Sequence, residues 1–148
     1  MDAGTVLEKA IQKEAEARDL YRQTGERAEN PAVKTLMADL ARQEATHKQM
    51  LESLPEDQAA ALVPVGDKPD LKISDHLESK HLSPDSSLQD ALTFAMQREE
   101  AARNFYSTMA ESVDSGELKA LMEKLAGMER THKTRLEELY EDIFLREM

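Results

Sequence analysis

Shifted along itself by 85 positions, this sequence meets itself. Residues 7–54 then face residues 92–139 without a gap, and 20 of the 48 pairs are identical. Composition alone makes two acidic, Leu-rich stretches look alike. It does not set His47 opposite His132 or Tyr21 opposite Tyr106 in a chain with 4 His and 3 Tyr. Whatever structure one half adopts the other must adopt too, and the two copies must bury their apolar faces together.

Each copy reads as a helical hairpin. Leu7, Ala10, Ile11, Glu14, Ala17 and Tyr21 recur at three-four spacing, the signature of one helix face. Asn30-Pro31 interrupts, with Pro31 placed to start the next helix. A second stripe follows at Val33, Leu36, Met37, Leu40, Glu44, His47, Leu51 and Leu54, and Pro55 stops it. In the other copy a third stripe comprises Leu88, Leu92, Ala95, Glu99, Ala102, Tyr106 and Met109. After a turn at Ser115-Gly116, the fourth comprises Leu118, Leu121, Met122, Leu125, Glu129, His132, Leu136 and Leu139. Strong helix formers dominate and β-branched residues are scarce. The expectation is an all-α four-helix bundle within one domain, with hairpins at 4–54 and 88–145. Between them, residues 55–87 carry Pro55, Pro64, Gly66, Pro69 and Pro84, with a short helix expected over 73–81. A connection this long crosses the bundle, or passes the second hairpin to a partner chain; a homodimer is expected, with domain swapping as an option.

The stripes fail to be apolar at Glu14, Glu44, His47, Glu99, Glu129 and His132. A buried carboxylate without a partner costs several kcal/mol or takes up a proton. Four close together would also repel, unless cations hold them. Glu and His three apart share one helix face. Two Glu-x-x-His helices with one Glu from each of the other two build the four-carboxylate, two-imidazole set of a two-metal site. Oxygen and nitrogen donors without sulfur suit Fe, Mn or Zn, and four carboxylates balance two divalent ions. A lone Glu-x-x-His would be a weak sign; the in-register pair is the specific one. Tyr21 and Tyr106 lie seven residues after Glu14 and Glu99 and have two readings: hydrogen-bonding to ligand carboxylates, or aromatic core with the hydroxyl at the surface. Met37, Met96, Met109, Met122 and Met128 read as core filler. His76 and His81, in the crossover, read as solvated, and Glu8, Glu16, Glu100 and Glu123 as solvated helix surface.

Other classes are excluded by composition. The absence of Cys removes disulfides, thiolate zinc, iron–sulfur centres and thiol nucleophiles. A net charge of -11 repels nucleic acid and anionic membranes, so neither is expected as a partner. With no basic-then-apolar start and no run of about 18 apolar residues, a cytoplasmic location is expected.

The sequence resembles the rubrerythrin family of the ferritin-like group. The resemblance rests on Ala10-Ile-Gln-Lys-Glu14 with Tyr21, Leu40-Ala-Arg-Gln-Glu44-Ala-Thr-His47, Gln97-Arg-Glu99 with Tyr106, and Leu125-Ala-Gly-Met-Glu129-Arg-Thr-His132. It covers both hairpins. It implies a ferritin-like bundle holding two iron ions, with Glu44 and Glu129 bridging, Glu14 and Glu99 terminal, and His47 and His132 each capping one metal. It also implies reduction of peroxide or dioxygen. Two departures stand out. Family members often carry a rubredoxin domain, but this chain has no Cys, so the expected electron donor is a separate, rubredoxin-like molecule. The family also commonly has a further ligand Glu three residues after the third-helix Glu. Here that position is Ala102, with Ala17 as its counterpart, so the redox-linked ligand exchange tied to peroxidase activity is not carried over with the motif. An iron-handling protein with ferroxidase chemistry and a metal-clamped interaction module are the alternative uses of the same residues.

Overall fold

In the computed structural model, residues 3–57, 87–113 and 116–145 are described. They form four long helices: α1 (Ala3–Arg27), α2 (Pro31–Glu52), α3 (Leu88–Ser112) and α4 (Gly116–Tyr140), followed by a short wide-turn segment, Glu141–Leu145. The short helix expected over 73–81 and the histidines at 76 and 81 lie outside the described residues.

The helix starts are encoded locally. Asn30 caps α2 by accepting from the Ala32 amide at 2.8 Å, and Pro31 occupies the first turn. Ser87 caps α3 in the same way, accepting from the Asp90 amide at 3.1 Å. The repeat persists at the level of hydrogen bonds. Lys34 donates to the Gly25 carbonyl at 3.2 Å, and its counterpart Lys119 donates to the Ala110 carbonyl at 2.9 Å. Each ties the start of the second helix to the closing turns of the first. Gly25 permits a close approach there, since a Cβ on it would lie 3.0 Å from that of Met37.

Contacts within each hairpin, α1 on α2 and α3 on α4, are far more extensive than those between hairpins, where α1 meets α3 and α2 meets α4. The apolar core is split in two along the bundle axis, and all four helices contribute to each part. One cluster gathers Val6 and Ala10 of α1, Leu51 of α2, Tyr106, Met109, Ala110 and Val113 of α3, and Leu118, Met122, Leu125 and Ala126 of α4. The other gathers Ala17 and Tyr21 of α1, Val33, Leu36, Met37 and Leu40 of α2, Leu92 and Ala95 of α3, and Leu136 and Leu139 of α4. Helices α1 and α4 therefore run from the first cluster to the second, and α2 and α3 run back. The end of α2 and the start of α3 lie at opposite ends of the bundle, as a crossover between the hairpins requires.

Some stripe positions shift. Val6 is buried, whereas Leu7 and Ile11 are half-buried at the margin. Of the methionines, 37, 109 and 122 are buried and 96 packs on the second cluster, but Met128 is half-buried and belongs to neither. Glu8 and Glu123 are exposed, as expected. Glu16 and Glu100 are half-buried instead, because each is drawn into an ion pair: Glu16 with Lys13 at 3.0 Å, and Glu100 with Lys133 at 2.8 Å and with Arg103.

Candidate metal centre

Between the two apolar clusters lies a polar layer. Glu14, Glu44, His47, Glu99, Glu129 and His132 are at most 3% exposed, so all six sequence-derived candidates are buried together. Every helix contributes: Glu14 from α1, Glu44 and His47 from α2, Glu99 from α3, Glu129 and His132 from α4.

The donors form two overlapping groups, Glu14–Glu44–His47–Glu129 and Glu44–Glu99–Glu129–His132. In each, one donor atom from every residue lies within 4.8 Å of the others. Nδ1 of His47 is 3.5 Å from Glu14, 3.4 Å from Glu44 and 3.2 Å from Glu129. Nδ1 of His132 is 3.1 Å from Glu44, 3.2 Å from Glu129 and 3.5 Å from Glu99. Glu44 and Glu129 are shared between the groups; Glu14 and Glu99 each belong to one. The imidazole rings lie parallel, tilted by 8° with centroids 5.6 Å apart.

These approaches do not follow hydrogen-bond directions. Oε2 of Glu14, Oε1 of Glu44, Oε2 of Glu99, Oε1 of Glu129 and Nδ1 of both histidines are buried without a hydrogen-bond partner among the described residues. Buried polar atoms are nearly always satisfied, and here one donor atom of each residue in the layer is not. The donor set is oxygen and nitrogen, in two groups of four, and four carboxylates match the charge of two divalent cations. The residues fit a pair of metal ions.

The electrostatics point the same way. Burial, and then the neighbouring carboxylates, push Glu44 and Glu129 well above the usual carboxylate range. Burial alone would lower His132, but Glu129, Glu44 and Glu99 more than reverse this and raise it to about 12. The shifts favour the protonated forms of Glu44, Glu129 and His132, the opposite of what a bound cation would favour.

The tyrosines cross over. The Tyr21 hydroxyl on α1 donates to Oε1 of Glu99 on α3, and the Tyr106 hydroxyl on α3 donates to Oε1 of Glu14 on α1. Burial and adjacent carboxylates raise both phenols well above 10, so they remain donors. Each hydroxyl thus steers a carboxylate of the opposite hairpin rather than reaching the surface. The alanines at 17 and 102 belong to apolar surroundings, Ala17 inside the second cluster and Ala102 against the first.

Four further residues surround this layer, none of them marked by the stripes. Arg98, 8% exposed, donates from Nη2 to the Lys13 carbonyl at 2.8 Å and lies over the Phe94 ring, joining α3 to α1 beside Glu99. Nε2 of His132 meets Oε1 of Gln43 at 2.6 Å. Gln43 in turn donates to Asp39 at 3.0 Å, and Arg135 donates to the same Asp39 oxygen at 2.6 Å. All four are polar, lie off the centre of the stripes and gain meaning only from a neighbouring helix. The one signal available was a break in the repeat: Gln43 and Asp39 face Met128 and Lys124 at the 85-residue offset, and Arg135 faces Met50.

The family model for rubrerythrin matches residues 5–80 and 90–148. The chain belongs to the rubrerythrin family. No match is found among curated proteins. Two solved structures are similar. A hypothetical protein from Pyrococcus furiosus shares 27% identity at a TM-score of 0.72, over 95% of this chain and 89% of that one. A Thermotoga maritima protein described as a ferritin-like diiron-carboxylate protein shares 21% identity at a TM-score of 0.71, over 96% of each chain. The rubrerythrin-family bundle here is thus of the ferritin-like fold, and no helix among the described residues is long and apolar enough to cross a membrane.

Proposed function

We propose that this rubrerythrin-family chain is a two-metal carboxylate oxidoreductase that reduces hydrogen peroxide or dioxygen with electrons from an external, rubredoxin-like donor. The observation that carries the reading is the convergence of six buried, unsatisfied oxygen and nitrogen atoms on two adjoining points. Glu14, Glu44, His47 and Glu129 would hold one ion; Glu44, Glu99, Glu129 and His132 would hold the other. A bound pair of redox-active ions, iron ahead of manganese, would supply the two electrons that, with two protons, convert peroxide to two waters, and the external donor would restore them.

The protein's own contribution is legible in the geometry. Four carboxylates match the charge of two divalent ions, so the buried layer would hold such a pair without net charge. The apolar clusters on either side keep bulk water from the ligands. The Tyr21 and Tyr106 hydroxyls hold the outer oxygens of Glu99 and Glu14, which fixes the inner oxygens toward the centre.

Anaerobic reconstitution with ferrous iron tests the proposal. Elemental analysis should give two ions per chain, and hydrogen peroxide should oxidise both and produce a ferric absorption band, with turnover when a chemical reductant is added. Failure of peroxide or dioxygen to oxidise the loaded centre, or absence of turnover, would overturn it. Truncating a shared ligand, as in Glu44→Ala or Glu129→Ala, should abolish loading of both ions. Glu14→Ala or Glu99→Ala should leave about one ion per chain, since each weakens one group.

A further inference from the structure

The two halves of the centre are built from repeated sequence, yet their surroundings differ behind the two histidines. Behind His132 runs a chain of hydrogen bonds from Nε2 of the imidazole to Gln43, Asp39 and Arg135. Arg42 also donates to Asp39, at 3.3 Å. At the corresponding positions behind His47 the sequence has Met128, Lys124 and Met50. Nε2 of His47 is buried and has no hydrogen-bond partner among the described residues.

The direction of every bond on the His132 side follows from chemistry. Arg135 holds the Asp39 carboxyl below its usual range, so Asp39 is ionised and can only accept. Gln43 must therefore turn its amide nitrogen to Asp39, which leaves its carbonyl oxygen facing His132. That oxygen accepts only from an Nε2–H. In neutral His132 the lone pair is thus on Nδ1, the atom that faces Glu44, Glu99 and Glu129. The hydrogen bond thus fixes how the ring is turned and which nitrogen faces a cation, so that Nδ1 is the one that gives up its proton on binding. Nothing among the described residues does this for His47, whose two tautomers and ring tilt must be sorted at the moment of binding.

We infer that Gln43, held by Asp39 and Arg135, is a positioning residue that makes the His132 subsite the tighter of the two, so that ions load there first and leave the His47 subsite first. The inference rests on the two-metal reading of the centre. Hydrogen bonding behind a metal-bound imidazole is generally worth about 10–100-fold in metal affinity, and that is the separation expected between the two binding steps.

Zinc, which undergoes no redox change, is the probe. Calorimetric titration of the metal-free chain with zinc should resolve two steps about 10–100-fold apart. Gln43→Met, which copies the other half of the repeat, should weaken the tighter step and bring the two together. A ¹⁵N-histidine NMR titration reads the order in the unaltered protein. At one equivalent of zinc the Nδ1 resonance of His132 should move, with its Nε2–H protected from exchange, while that of His47 stays. Equal affinities, prior or simultaneous movement of His47, or an undiminished separation in folded Gln43→Met would overturn the inference and leave the two-metal reading standing. Absence of zinc binding in the unaltered chain would overturn both.

Discussion

Tyr21 and Glu99 belong to different hairpins, and their hydrogen bond is buried completely. Tyr21→Phe keeps the ring and removes the donor, leaving the outer oxygen of Glu99 in an apolar wall without a partner. A buried acceptor left in this way costs about 1–3 kcal/mol, and more when it is charged. Denaturant unfolding of the metal-loaded protein should show a loss of that size, and Tyr106→Phe should show the same at Glu14. Equal stability of Tyr21→Phe and the parent would mean that the hydroxyl does not hold the carboxylate. At this scale the six Glu and His candidates were legible because their polarity contradicts the stripe that carries them, twice over and in register. The partners of the tyrosines were not legible. A hydroxyl seven residues along the same helix as Glu14 could have served its own helix, and the crossing to Glu99 depends on how α1 and α3 face each other. Gln43 and Arg98 were illegible for a related reason: polar residues flanking a stripe look solvated until another helix covers them.

Among the helices, the apolar work is done on either side of the polar layer, so the damage from a core truncation depends on where it falls. Leu40 on α2 is fully buried in the second cluster. Leu40→Ala should cost about 2–5 kcal/mol through lost burial and the cavity left behind. Asn30→Ala removes the α2 cap and should cost about 1 kcal/mol, since the Ala32 amide can turn to water. Thermal denaturation of the two variants should rank them in that order; a larger loss from the cap would mean that α2 depends on its first turn more than on its packing. The helices themselves were legible from three-four spacing, broken at Asn30-Pro31. Their margins were less so. On α1 the buried line runs Val6, Ala10, Glu14, Ala17 and Tyr21, and a repeat of 3.6 residues leaves Leu7 and Ile11 one position to the side.

Taken as a whole, the metal-free molecule carries its charge problem at the centre. Glu44 is raised by burial and then by Glu129, Glu99 and Glu14, Glu129 by burial and then by Glu99 and Glu14, and His132 is lifted to about 12 by Glu129, Glu44 and Glu99 against the pull of burial. A group whose pKa is higher folded than unfolded stabilises the fold below its unfolded value and loses that contribution as pH rises toward the folded one. For the two carboxylates the loss begins near 4.5, and for His132 near 6.5. Asp39 and Glu100 act oppositely: Arg135 and Lys133 lower them, and their contribution is lost on acidification below the ordinary carboxylate range. The melting temperature of the metal-free protein should therefore fall between about pH 5 and pH 8. With metal bound, cations replace the protons and the trend should flatten or reverse. Scanning calorimetry of both forms across that range checks this; a metal-free protein that gains stability toward pH 8 would show that the layer is not proton-loaded.

The seam between the hairpins also bears on ancestry. Each hairpin supplies two glutamates and one histidine, and the two contributions are related by the same 85-residue offset. A lone hairpin that paired with its own copy about a two-fold axis would present the same ring of six donors. Joining two such copies in one chain adds nothing to that ring. What it adds is the freedom for the copies to diverge, so that Gln43 can stand behind one histidine while Met128 occupies the matching place in the other half.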